Sequence, residues 1–467
     1  MADQSTDPRL RDRHYDLAII GSGSGNSVIT PDLAGWDIAV VDGGTFGGTC
    51  LNVGCIPTKM FVYTADVADT IRHASRYGVD GEVTAIRWAE IRDRIFGRID
   101  AISAGGREYR ANGSNTTLYQ AHATFTGPRT LALDTGQRIS ADRIVVAAGS
   151  RAVIPPEVSG SGVPYLTSDT VMRLETLPRR LAVLGSGFIA AEFAHVFGQL
   201  GVEVTVIARG PQLLRHLDVD IAHRFTVAAR RQWDVRLDSG LLGVTQDGDG
   251  LRLDLVGGTT LRADELLVAT GRVANTASLG CAAAGLELHP DGRIAVDEHQ
   301  RTSVDGVWAL GDVSSPYQLK HVANHEMRVV AHNLAHPTSM ITTDHRYVPS
   351  AVFTHPQLAT VGITEQDAAE RGLDYVSATH DFGATAYGWA MEDTESFCKL
   401  IADRSSGELL GAHLIGPQAS TLIQPLIQAM SFGQTVAGLA RGQYWIHPAL
   451  TEVVENALLT LEAATKN

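Results

Sequence analysis

Short apolar runs recur along this chain, and each empties into glycine or a small polar residue. Tyr15–Ile20 runs into Gly21-Ser22-Gly23-Ser24-Gly25-Asn26, Asp37–Val41 into Asp42, and Arg143–Ala148 into Gly149-Ser150. Leu181–Leu184 runs into Gly185-Ser186-Gly187-Phe188-Ile189-Ala190, and Val202–Ile207 into Ala208-Arg209. Glu265–Ala269 then leads to Thr270-Gly271-Arg272, and Gly306–Leu310 to Gly311-Asp312. Unbroken apolar runs of strand length predict strands covered on both faces, as in parallel sheets. A helix is predicted after Asn26, and another from Phe188 through about Leu200. Residues 104–140 read as a small strand-rich part of the first domain. From about Thr342 the pattern changes: Lys399–Ala402 and Leu409–Ile415 alternate, predicting an antiparallel sheet. Helical periodicity returns at Ser420–Phe432 and Thr451–Ala464.

Composition narrows the class. A chain of 467 residues carries two to four domains and ample core. Its net charge of −14 argues against nucleic acid and against an anionic membrane surface as partners. No apolar run is long enough to span a bilayer. Met1–His14 is polar, mixed in charge and without an apolar stretch, so it reads as a disordered leader rather than a targeting signal, and a cytoplasmic protein is expected. Only Lys59, Lys320, Lys399 and Lys466 are lysines among 38 basic residues, a bias that suits a GC-rich coding genome.

Two of the strand-to-glycine turns carry a dinucleotide fingerprint. Gly21 allows the tight turn, and Gly23 lets a pyrophosphate approach the backbone at a helix start. Asp42, twenty-one residues on from Gly21, is placed for a ribose hydroxyl pair. Asn26 stands where a third glycine or alanine is usual, so looser helix–strand packing is expected there. The pattern repeats at Gly185 and Gly187. Here the second strand ends in Arg209, with Arg215 following, rather than in an acid. Two guanidiniums bind a 2′-phosphate that a carboxylate would repel, so this site is expected to prefer NADPH over NADH.

Just downstream of the first fingerprint lies Gly47-Gly48-Thr49-Cys50-Leu51-Asn52-Val53-Gly54-Cys55-Ile56-Pro57-Thr58-Lys59. A zinc site would need more ligands at shorter spacing, and no second cysteine pair completes one. A structural disulfide is unexpected in a large chain without a secretory signal. If both cysteines open one helix, their Cα atoms sit about 8 to 9 Å apart, whereas a disulfide tolerates at most about 7 Å. Bonding them therefore demands a distorted first turn, which Gly54 permits. Cys281 and Cys398 have no partner spacing and read as core or surface thiols. Near the C-terminus, Trp445-Ile446-His447-Pro448-Ala449-Leu450-Thr451-Glu452 places an imidazole before a proline. A helix starting at Pro448 or the next few residues returns Glu452 towards His447 and fixes its tautomer.

The thiol segment and its flanks resemble the redox-active site of the pyridine nucleotide-disulfide oxidoreductase family, and the resemblance covers nearly the whole chain after residue 14. It implies an α/β fold of two Rossmann-like nucleotide-binding domains, for FAD and NADPH, plus a C-terminal α+β dimerisation domain. The implied division is 1–14 leader, 15–155 and 273–341 FAD domain, 156–272 NADPH domain and 342–467 interface domain. It further implies a redox disulfide between Cys50 and Cys55, with Cys55 facing the flavin and Cys50 the substrate. Lys59 would pair with Glu192 beside the flavin, and Asp312 would reach the ribityl chain. Gly48, Thr49 and Gly149 would line the FAD, and Gly271 the second nucleotide. His447, where the family has His-Pro-Thr-x-x-Glu and this chain has Ala449 for Thr, would serve the cysteines of the other subunit of a homodimer.

The resemblance implies a small-molecule disulfide as substrate. Phe61–Gly78, Ala386–Thr394 and Arg441–His447 resemble the family branch acting on the disulfide of mycothiol, a sugar-bearing thiol of actinobacteria. Glutathione reductase-like activity shares the arginines and remains the nearest rival. Lipoamide dehydrogenase normally has an acid at the Arg209 position, and mercuric reductase needs a cysteine pair after Cys398, where none exists. A non-enzymatic assembly subunit with a structural flavin is the alternative from another class.

Overall fold

The structure, a computed structural model, describes residues 12–466. Its first sheet opens with β1 (Arg13–Ile20), β2 (Ile38–Val41) and β3 (Thr116–Tyr119), in the parallel order β3-β2-β1. Antiparallel β4 (Ala123–Gly127) and β5 (Thr130–Leu133) lead into a long β6 (Arg138–Val146), which returns parallel beside β1. Val307–Ala309 joins the end of β6, also parallel. A strap follows: β7 (Ser150–Ala152) pairs antiparallel with Arg272–Ala274. The second parallel sheet contains β8 (Arg180–Leu184), β9 (Glu203–Ile207) and β10 (Asp234–Arg236), in the order β10-β9-β8 followed by Glu265–Val268. In both sheets the strand order reverses beside the first strand, which opens a crevice at the C-terminal strand ends. The apolar runs are strands because both faces are covered: Leu17, Ile19, Ile38, Val40, Ile144 and Val145 are all fully buried.

Several segments differ from the sequence expectation. The leader lies outside the described residues for 1–11, but Arg13 and His14 open β1. Arg13 pairs with Asp37 at 2.7 Å, and His14 Nδ1 meets Ser140 Oγ at 2.9 Å, contacts with no local sequence signature. No long helix follows Asn26; two 3₁₀ turns, Ser24–Val28 and Pro31–Leu33, take its place. Pro31 forces this, since Thr30 before it is extended at φ −100° and ψ 168°. Residues 104–111 belong to a helix rather than to strands. Ser420–Phe432 is two helices, Ala419–Leu422 and Gln424–Ser431, with Pro425 in the first turn of the second. An antiparallel meander of Leu241–Asp247, Gly250–Leu255 and Thr260–Ala263 was not anticipated.

Three helices position the thiol segment: α1 (Gly48–Asn52), α2 (Cys55–His73) and α3 (Trp88–Ala111). Helix α2 packs along Phe188–Gln199, the helix of the second fingerprint. Phe61 stacks on Trp88 at 5.2 Å, and Trp88 meets Phe197 at 5.9 Å, so one aromatic cluster binds these helices together. The C-terminal part is a five-stranded antiparallel sheet, ordered Ser350–Val352, Leu358–Gly362, Leu409–Ile415, Phe397–Asp403, Tyr375–Asp381. The helix Thr451–Thr465 covers it with Val453, Val454, Ala457, Leu458 and Leu461, all fully buried. The predicted alternation of Lys399–Ala402 is absent, because helices and strands cover both faces and every residue there is buried. Cys281 and Cys398 are both core thiols, and burial raises both pKa values. No described helix is long and apolar enough to cross a membrane.

Candidate active site

The two fingerprint turns share one backbone solution. Gly21 has φ +106°, and a Cβ there would fall 2.2 Å from the Ala147 carbonyl oxygen at the end of β6. Gly185 has φ +143°, and its Cβ would fall 2.2 Å from the Ala269 carbonyl. Each first glycine thus lies against the strand beyond the crevice, where no side chain fits. Gly25, rather than Asn26, supplies the close packing in the first turn: its Cβ would meet Ala147 Cβ at 2.6 Å. Asn26 is not loose. Its Oδ1 accepts from Arg110 Nε at 2.6 Å, and its carbonyl accepts from Arg110 Nη2 at 2.9 Å.

The first crevice fits a dinucleotide. Gly23 and Gly48 approach so closely that a Cβ on Gly48 would sit 2.7 Å from Gly23 Cα, leaving a bare backbone cradle. Asp42 accepts the Ser22 N–H at 2.6 Å and the Gly44 N–H at 2.7 Å, one on each oxygen, and each oxygen keeps capacity for a ribose hydroxyl. Ser22 ties the turn to the thiol segment by accepting the Gly47 N–H at 2.8 Å. Thr49 is exposed beside Cys50. Asp312, after Val307–Ala309, accepts from Ser150 Oγ at 2.6 Å, next to the left-handed Gly149. In the second crevice, Gly187 caps the Phe188–Gln199 helix, and a Cβ there would meet nothing within 4 Å. Gly271, at φ +123°, begins the strap. Arg209 and Arg215 are both exposed, and neither has a hydrogen-bond or ion-pair partner among the described residues.

The thiols face one another across a broken helix. Helix α1 ends at Asn52, and α2 restarts at Cys55 after Gly54. Gly54 is required because a Cβ would lie 2.9 Å from the Thr49 carbonyl oxygen and 3.2 Å from Cys50 Cα. Cys50 is half-buried and Cys55 exposed. The neighbouring Cys50 thiol lowers the Cys55 pKa to about 7 against the opposing effect of desolvation, with Lys59 helping. The same contact, with desolvation, raises Cys50 above the ordinary thiol range. Of the two thiols, Cys55 is thus the more easily ionised.

Lys59 Nζ lies 2.6 Å from Glu192 Oε2, and the nearly buried carboxylate also accepts the Phe353 N–H at 3.0 Å. This pair links α2 to the second fingerprint's helix, and Lys59 sits 4.5 Å over the Phe353 ring. His447 is 71% exposed, and its Nδ1 meets Glu452 Oε1 at 2.6 Å. His447 Nε2 has no hydrogen-bond partner among the described residues. No hydrogen bond or ion pair joins His447 to the thiols within one chain among the described residues. Sequence reasoning missed Ser22, Gly25 and Asn52. Asn52 Nδ2 donates to the Phe46 and Gly48 carbonyls, each at 3.0 Å, and so clamps the loop before Cys50. Its place within the thiol motif was the only available signal.

Two doubly wound crevices flanking a dithiol define an enzyme that couples a flavin and a nicotinamide nucleotide to disulfide reduction. The chain belongs to the pyridine nucleotide-disulphide oxidoreductase family, which residues 15–328 match, with residues 348–458 matching its dimerisation domain. It is 58% identical to the mycothione reductase of Mycobacterium tuberculosis over 96% of this chain and 99% of that one. It is 34% identical to a dihydrolipoyl dehydrogenase of Halobacterium salinarum, over 96% and 95% of the two chains. A copper(II) complex of the HOCl-induced flavoprotein disulfide reductase RclA from Escherichia coli superposes with a TM-score of 0.86 at 27% identity, covering 96% of this chain and all of that one.

Proposed function

We propose that this chain is an NADPH-dependent FAD enzyme that reduces mycothione, the disulfide of mycothiol, in the cytoplasm as a homodimer. The observation that carries the reaction class is the Cys50–Cys55 pair, with the Cys55 pKa lowered, beside the Lys59–Glu192 ion pair. The substrate assignment rests on the 58% identity to a mycothione reductase across nearly the whole of both chains. The NADPH preference rests on Arg209 and Arg215, two exposed guanidiniums without carboxylate partners at the end of β9 and just beyond. We assign 15–155 and 273–341 to the FAD domain, 156–272 to the NADPH domain and 342–467 to the interface. The pairing of Val307–Ala309 with β6 supports the return of the chain to the first domain.

In this reading Gly21, Gly23, Gly48 and Thr49 would hold the flavin dinucleotide, with Asp42 on its ribose and Gly149 and Asp312 near its ribityl chain. Gly185, Gly187 and Gly271 would hold NADPH. FAD held in the first crevice would supply, at the expense of NADPH, the electron pair that opens a Cys50–Cys55 disulfide. That pair breaks the S–S bond and leaves Cys55 as the thiolate, stabilised by Lys59. Cys50 loses its proton to His447 of the partner subunit and attacks one sulfur of the substrate disulfide. The imidazolium, held by Glu452, returns the proton to the departing thiolate. Cys55 then attacks Cys50, releases the second thiolate, which takes up a proton from solvent, and restores the intramolecular disulfide. One NADPH and one proton thus yield two thiols, a step in thiol redox homeostasis.

The test is NADPH oxidation by the FAD-loaded protein with mycothiol disulfide, glutathione disulfide and lipoamide in parallel. A kcat/KM highest for mycothiol disulfide is expected. Preference for either of the others would keep the reaction class and overturn the substrate.

A further inference from the structure

Four lysines are all this acidic chain has, and three are matched by carboxylates. Lys59 meets Glu192 at 2.6 Å, and Lys466 meets Glu462 at 2.6 Å. Lys399 meets Asp218 at 2.9 Å, Asp220 at 2.5 Å and Glu365 at 2.6 Å. Lys320 is different. It is half-buried, and its ammonium donates only to neutral oxygens: Ser24 Oγ at 2.7 Å and Asn324 Oδ1 at 2.8 Å. No carboxylate pairs with it among the described residues. A partly desolvated ammonium without a counter-charge, in a chain of net charge −14, marks the place of an anion the protein does not itself supply.

The position says which anion. Ser24 stands between Gly23 and Gly25 in the first fingerprint turn, where the bare backbone of Gly23 and Gly48 forms the cradle. Lys320 opens the helix Lys320–Ala335, which packs against the Ser24–Val28 turn. The other base on this turn, Arg110, directs Nε and Nη2 to Asn26. The Lys320 charge also reaches Cys50, where it favours the thiolate. We propose that Lys320 binds the diphosphate of the flavin dinucleotide, together with Ser24, across the first fingerprint turn. This rests on the assignment of FAD to that crevice. In place of a loop held by backbone N–H groups alone, this chain adds a point charge from a helix 296 residues away in sequence.

The test uses holoenzyme and two readouts other than turnover. Flavin release on dilution is followed by free-flavin fluorescence at rising NaCl, and the bound diphosphate by ³¹P NMR. Lys320→Met is expected to speed release about tenfold or more, to weaken its salt dependence and to move a diphosphate resonance. Lys320→Arg, which keeps the charge, is expected to stay within about threefold. Ser24→Ala is expected to move the same resonance, which keeps the proposal testable if the methionine variant does not accumulate. Unchanged release and resonances in Lys320→Met overturn it. Faster release with unmoved ³¹P resonances also overturns it, by assigning the lysine to the ring. Wild-type protein that holds no FAD would remove the flavin assignment and the proposal together, whereas wild-type that holds FAD beside an unaffected variant removes the proposal alone.

Discussion

Cys50 and Cys55 are chemically alike, and their neighbours make them different. The Cys50 S–H contact is the largest influence on Cys55, ahead of opposing burial and of the Lys59 charge, and together they place its pKa near about 7. A thiol acid with a lowered pKa is charged at and above that pH and loses its charge as pH falls through it. In flavin-free, reduced protein, iodoacetamide labelling of Cys55 should therefore have its midpoint near pH 7. Cys50→Ala removes the donor and should move that midpoint towards the ordinary thiol value of about 8.5. An unmoved midpoint would assign the shift to Lys59 alone. Arg209 and Arg215 have a simpler job. Replacing both by glutamine should raise the KM for NADPH roughly tenfold or more and leave that for NADH nearly unchanged. Equal effects on both would show that neither meets a 2′-phosphate.

At the level of elements, the Thr451–Thr465 helix joins the core to the chemistry: Glu452 stands in its first turn and Leu458 is fully buried on its inner face. Leu458→Ala should cost about 2–5 kcal/mol in urea unfolding. A cost below about 1 kcal/mol would mean that this face does not hold the antiparallel sheet. The parallel strands were legible because burial on both faces leaves an unbroken apolar run, and the strand-end glycines mark the crevices that follow. What depends on distant partners was not legible. Arg13 and His14 read as leader because Asp37 and Ser140, which hold them in β1, are remote in sequence. The Thr30-Pro31 step ends the expected helix. The break between α1 and α2 was anticipated at Gly54 from the span a disulfide allows, whereas the clamp by Asn52 was not, since amide-to-carbonyl contacts leave no periodicity. Lys320 drew attention only as one of few lysines; its meaning comes from Ser24.

Across the whole molecule, two buried connections hold the nucleotide crevices to the rest. The aromatic cluster of Phe61, Trp88 and Phe197 fixes the thiol helix against the second fingerprint's helix. Buried Lys399 joins Asp218, at the start of Val219–Gln232, to Glu365 and the antiparallel sheet. Burial opposes the charge on Asp218, but the Glu365 N–H and Lys399 outweigh it and lower its pKa. Within this frame His447 is largely exposed on its own chain, as the proposed shared active site of a dimer requires. Cys50→Ser and His447→Ala homodimers should each keep roughly one percent of activity or less. When the two chains are co-expressed and the dimers form at random, half are mixed, and each mixed dimer has one intact site. The preparation should then regain about a quarter of wild-type turnover. A mixture as inactive as its parents would show that Cys50 and His447 serve the same site from one chain, and the shared active site would be wrong.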